Sequence, residues 1–110
     1  LHSFWDDLLG TADDLRDAKN AATELRLRKE FAKGELKELA DGTADAWAKE
    51  SVELAKAVVY RDGKLKGGAD ERSAVVLPED YPGTAKPVGE RRGVVAGYRL
   101  AATLTELLKE

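Results

Sequence analysis

Apolar residues recur at intervals of three and four through most of this chain, the period of one helix face, and that spacing commits it to helices. The clearest tract runs from residue 11 to 33, where Leu15, Ala18, Ala22, Leu25 and Ala32 fall on one side and charge fills the rest. Asp13, Asp14 and Asp17 crowd its start, and Arg26, Arg28, Lys29 and Lys33 its end, each sign suited to the helix dipole there. Gly34 closes it, and a short helical piece over 35–40 precedes an Asp41-Gly42 turn. Ahead of this tract, residues 2–9 carry Phe4, Trp5, Leu8 and Leu9 and stop at Gly10, a helix end with a glycine cap. Thr43 is placed to cap a further helix whose stripe runs Ala44, Trp47, Ser51, Leu54, Ala55, Val58 and reaches Tyr60, with Trp47 as its expected core anchor.

Residues 61–77 are rich in glycine and charge, and Asp62-Gly63 and Gly67-Gly68 signal turns, so a loop with at most a weak hairpin is expected there. Pro78 can open a short helix that Pro82-Gly83 breaks, and Pro87 restarts a last helix over 87–109. In it Gly89, Gly93, Gly97 and Ala101 form one i+4 row, a smooth strip suited to tight helix packing. The expected fold class is all-α.

Composition bounds what such helices can do. A chain of 110 residues, 43% hydrophobic and 35% charged, makes one modest domain or part of one. Its net charge of −3 provides no global field to attract nucleic acid, so nucleic-acid chemistry would need a local site or a bound metal. The lack of cysteine excludes disulfides and thiolate zinc sites. No apolar run approaches the ~20 residues of a membrane span; the longest, 93–98, is hemmed by Arg91, Arg92 and Arg99. A start at Leu-His-Ser without methionine reads as a fragment whose upstream part is missing.

The best pointer to chemistry is His2, the sole histidine, with Asp6 four residues on. On a helix the two side chains share a face, so an imidazole and a carboxylate could close on one metal ion. Spacing alone is weak: with 21 Asp and Glu among 110 residues, such a pair arises about one time in five by composition. Asp7 projects about 100° away and is left out. Trp5 and Trp47 could stack bases, but on apolar stripes they read as core. Arg91, Arg92 and Arg99 read as solvated or ion-paired, and Lys64 to Lys66 as loop surface.

Three tracts together resemble a known family. Leu1-His2-Ser3-Phe4-Trp5-Asp6 resembles the Asn-Leu-His-x-x-Trp-Asp segment of the zinc-dependent single-strand-specific nucleases and 3′-nucleotidases, an all-α family related to zinc-dependent phospholipase C. Trp47-Ala48-Lys49-Glu50-Ser51, running on to Val59-Tyr60, resembles the family's Trp-x-x-Glu-Ser helix start. Ala96-Gly97-Tyr98-Arg99-Leu100-Ala101 resembles its near-terminal Ala-Gly-x-Arg-Leu-Ala, and Thr105 departs from an asparagine common nearby.

The resemblance implies that residues 1–110 are the C-terminal portion of a single nuclease domain, the C-terminal helices of a phospholipase C-like bundle. It implies zinc as cofactor, in a three-ion cluster, with His2 and Asp6 as ligands to one ion and the other ligands in the absent N-terminal portion. The implied activity is hydrolysis of single-stranded DNA and RNA to 5′-phosphorylated products by metal-activated hydroxide, with removal of 3′-phosphates from nucleotides. No catalytic acid or base is assigned among these residues, and the isolated fragment is expected to be inactive. A secreted or periplasmic location is implied by the family. Two alternatives stand beside it: a zinc-dependent phospholipase C, against which Asp6 counts because glutamate is usual there, and a non-catalytic helical module whose glycine row packs a partner helix.

Overall fold

The structure, a computed structural model, describes residues 1–11, 13–68 and 71–109. Every regular element among them is helical. In chain order these are α1 (His2–Asp6), α2 (Leu15–Arg26), α3 (Ala44–Leu54) and α4 (Tyr81–Leu107), with 3-10 turns between α2 and α3 and a π turn and 3-10 turns between α3 and α4. Residue 12 of the expected second helix and residues 69 and 70 of the expected loop lie outside the described residues.

Two compact units divide the chain. The first takes residues 1–10 and 43–89, the second 11–42 and 90–110. In the first, α1 stops at Asp7, before the glycine expected to cap it, and Gly10 follows with φ +119°. Thr43 caps α3 as its spacing predicts, its hydroxyl accepting from Ala46 N at 3.3 Å. Beyond Leu54 the helix widens into a π turn, Ala55–Val59, closed by Tyr60 N donating to Ala55 O at 2.9 Å. Arg61 (φ 45°) and Asp62 (φ 56°) then adopt left-handed backbone, followed by Gly63 (φ 86°). For residues other than glycine that conformation costs roughly 1–2 kcal/mol each. The Arg61 guanidinium helps to hold it, reaching both Asp80 carboxylate oxygens at 3.2 Å and lying 5.1 Å from the Tyr81 ring centroid. The core of this unit is Leu65, Tyr81 and Ala85, with Leu1, Phe4, Trp5, Leu8 and Leu77 packed against it. Trp47 is half-buried and outside that cluster, so it is not the anchor its stripe suggests.

In the second unit, α2 is shorter than the apolar tract that encodes it. Asp14 caps it by accepting from Arg16 N at 2.7 Å, and past Arg26 the chain tightens into 3-10 turns at Lys29–Phe31, Lys33–Glu35 and Lys37–Ala40. These turns bury Phe31 and Leu36 with Val95 of α4, joined by Leu25, Leu39, Val94 and Tyr98. Arg91 grips Glu38 with Nε and Nη2, both at 2.7 Å, and Arg99 donates to the Glu38 carbonyl at 2.9 Å. Two of the three arginines that could have met phosphate are thus engaged in holding the Lys37–Ala40 turn.

The expected break at Pro82-Gly83 does not occur. Pro82 sits in the first turn of α4, where a missing N–H leaves nothing unpaired. Pro87 does lie inside the helix, and the residue four before it is Gly83, at which even an added Cβ would meet nothing within 4 Å. The glycine row also differs from expectation. A Cβ on Gly89 would come 2.5 Å from Leu8 Cδ2, a side chain and not a backbone, and one on Gly97 would meet nothing within 4 Å. Gly93 and Gly97 instead line an open apolar groove of about 290 Å³ with Ala22, Leu25, Val94 and Tyr98.

Candidate metal centre

Five residues are too few for a helix to hold its own shape in water, so α1 depends on what it packs against. Its apolar side chains, Leu1, Phe4 and Trp5, fall on one face and join the buried cluster of Tyr81, Leu65 and Ala85. At 100° per residue that face is centred roughly 130° from the His2–Asp6 pair. Burying one face therefore turns the other outward.

Trp5 fixes the rotation. Its indole Nε1 donates to Tyr81 Oη at 2.8 Å, and Tyr81 Oη in turn donates to the Val59 carbonyl at 2.8 Å. The rings of Phe4, Trp5 and Tyr81 meet edge to face at centroid distances of 5.2 to 6.3 Å, geometries that are favourable for aromatic quadrupoles. Trp5 is thus half-buried, packed against the core with its polar atom satisfied, while part of it lines the cavity beside the pair. Tyr81, its partner 76 residues away, carries no signal in the sequence that would have found it.

On the outward face His2 Nε2 lies 2.9 Å from Asp6 Oδ2, the two side chains 90% and 63% exposed. At that distance the imidazole and the carboxylate pair with each other, and one nitrogen and one oxygen donor stand close enough to share a single ion. That donor set suits zinc at two positions of its coordination shell. No group of three or more His, Cys, Asp or Glu able to hold a metal occurs among the described residues. Asp7 is exposed at the C-terminal end of α1 and does not join the pair.

The pair borders a cavity of about 680 Å³, whose other walls include Trp5 from α1, Ala55 and Val59 from the π turn, and Tyr60. The Asp62-Gly63 turn signal marks the bend after it, but the sequence stripe treats Tyr60 merely as the end of a buried face. Its exposure, 43%, comes from the π turn, which no local pattern announces.

No curated protein and no solved structure matches the chain. The family model of the S1/P1 nucleases matches residues 1–109. The described residues hold no helix long and apolar enough to cross a membrane. The chain belongs to the S1/P1 nuclease family, whose all-α members are metal-dependent nucleases acting on nucleic acid.

Proposed function

We propose that this chain supplies the His2–Asp6 corner of a zinc-dependent phosphodiesterase, which hydrolyses single-stranded DNA and RNA to 5′-phosphorylated products and removes 3′-phosphates from nucleotides. The observation that carries the reading is the 2.9 Å approach of an imidazole nitrogen to a carboxylate oxygen on the exposed face of a helix pinned by its other face. Zinc, when bound, supplies positive charge to the phosphoryl oxygens and makes a water acidic enough to ionise near neutral pH. His2 and Asp6 hold and orient; neither is assigned a proton to move. Trp5 and Tyr81 keep both donors on one side of the helix.

Catalytic zinc takes three protein donors and keeps one position open, so a pair is incomplete. The remaining donors of the proposed three-ion cluster come from outside the described residues, in the N-terminal portion of the same domain, with residues 1–110 as its C-terminal portion. A secreted or periplasmic location accompanies this reading. The test uses the full-length protein. His2→Ala and Asp6→Ala should each lower the zinc content measured by mass spectrometry. Each should reduce cleavage of a single-stranded oligonucleotide by more than the ~10–100-fold that loss of a group merely supporting a ligand produces. Unchanged zinc content and rate in both variants would refute the assignment.

A further inference from the structure

Three features of the structure meet at Tyr60. Its side chain is 43% exposed at the rim of the cavity that His2 and Asp6 also line. Its backbone, by contrast, is clamped: the amide donates to Ala55 O at 2.9 Å, and the carbonyl accepts from Gly63 N and Leu65 N, both at 3.0 Å. On either side the chain departs from regular helix, with the π turn before it and left-handed Arg61 and Asp62 after it. A π turn holds one residue more than an α turn, which rotates the next side chain roughly 100° off the stripe that would have buried it. Irregular backbone of this kind persists where its surroundings over-determine it and gathers at working sites.

The chemistry of the cavity narrows the ligand. Its volume, about 680 Å³, falls within the range of small-molecule sites. Among the described residues lining it none is lysine or arginine, the groups that usually hold phosphate. Away from the donor pair, the wall beside the Tyr60 ring is apolar, formed by Trp5, Val59 and Ala55, with Ser3, Gly67 and Gly68 also on the lining. An exposed ring on a clamped backbone, beside a phosphodiester-cleaving centre, suits the face of a nucleobase, and stacking of this kind tolerates any base.

We infer that Tyr60 is the platform on which a nucleobase of the single-stranded substrate stacks when its backbone is at His2 and Asp6. The inference rests on the nuclease reading above. It makes Tyr60 an affinity residue that leaves the reacting atoms alone.

The test is binding of a fluorescent single-stranded oligothymidylate to the full-length protein, with and without a chelator, set against the same backbone carrying abasic sites. Stacking contributes about five- to a hundred-fold in affinity per base. Tyr60→Ala should lose that much on the oligothymidylate and nothing on the abasic strand, while Tyr60→Phe should bind as the parent does. In steady-state cleavage Tyr60→Ala should raise KM and leave kcat in place. Equal losses on the two strands, or no loss on either, would overturn the inference. A parent protein that cleaves single-stranded DNA while Tyr60→Ala binds normally would sink the stacking alone. A parent that neither binds nor cleaves would sink the nuclease reading with it.

Discussion

Tyr81 is 1% exposed, yet its hydroxyl serves two partners at once, accepting from the Trp5 indole and donating to the Val59 carbonyl. Replacing it by phenylalanine keeps the ring in its packing and removes only those bonds. Tyr81→Phe should therefore lower stability by about 1–3 kcal/mol, since both partners lose a bond in a part-buried setting. In the full-length protein it should also weaken zinc retention, because the rotation of α1 is no longer fixed; denaturant unfolding and a competitive zinc titration check the two effects. The Glu38 pair illustrates a different kind of residue. The hydrogen bond to Glu38 raises the Arg91 pKa further above its ordinary value. A raised folded-state pKa contributes stability that is present below the unfolded value and lost only as pH passes through the folded one. For an arginine that window lies beyond the alkaline range of ordinary buffers, so no alkaline loss of stability should trace to Arg91. An Arg91→Ala variant whose stability difference from the parent stayed constant from neutral pH to pH ~10 would agree.

At the level of elements, caps and glycines give the sharpest expectations. Thr43→Ala removes a side-chain acceptor at the start of α3 and should cost about 1 kcal/mol in thermal or denaturant unfolding. Gly97→Ala should act in the opposite direction in the 110-residue chain, stabilising by about 0.5–1 kcal/mol, since a Cβ there meets nothing within 4 Å. Destabilisation by the same change in that chain would mean that the groove is closed by something. These elements also show where the sequence speaks and where it is silent. Thr43 and the three-and-four spacing are local signals: the cap sits where expected, and helices form within the tracts they mark. The contraction of α2 to Leu15–Arg26 and the run of α4 through Pro82 and Pro87 depend on tertiary contacts and on which turn a proline occupies, so local rules misplace both ends. The His2–Asp6 pair was legible because i+4 spacing is itself geometry; Tyr60 was not, because a π turn has no spacing to read.

For the molecule as a whole, the balance between buried and exposed apolar side chains decides behaviour. No residue of α2 is buried, and Leu15 and Leu27 are 75% and 73% exposed. Along α4 and just past its end, Leu100, Leu104, Leu107 and Leu108 follow helical spacing and are all exposed. Apolar helix faces of this kind are interaction surfaces or association liabilities. The 110-residue chain alone should therefore self-associate with rising concentration, as sedimentation would detect, and bind zinc weakly; a monomer that takes up zinc tightly and stoichiometrically would contradict both expectations. The contact that orients α1 joins Trp5 to Tyr81 across 76 positions, and a helix of five residues does not nucleate alone. During synthesis at about 5–20 residues per second, Tyr81 leaves the ribosome roughly 4–16 s after His2. Until then the two donors belong to an unstructured segment, so the growing chain passes its early life without an assembled ligand pair and acquires one only when its later half folds back.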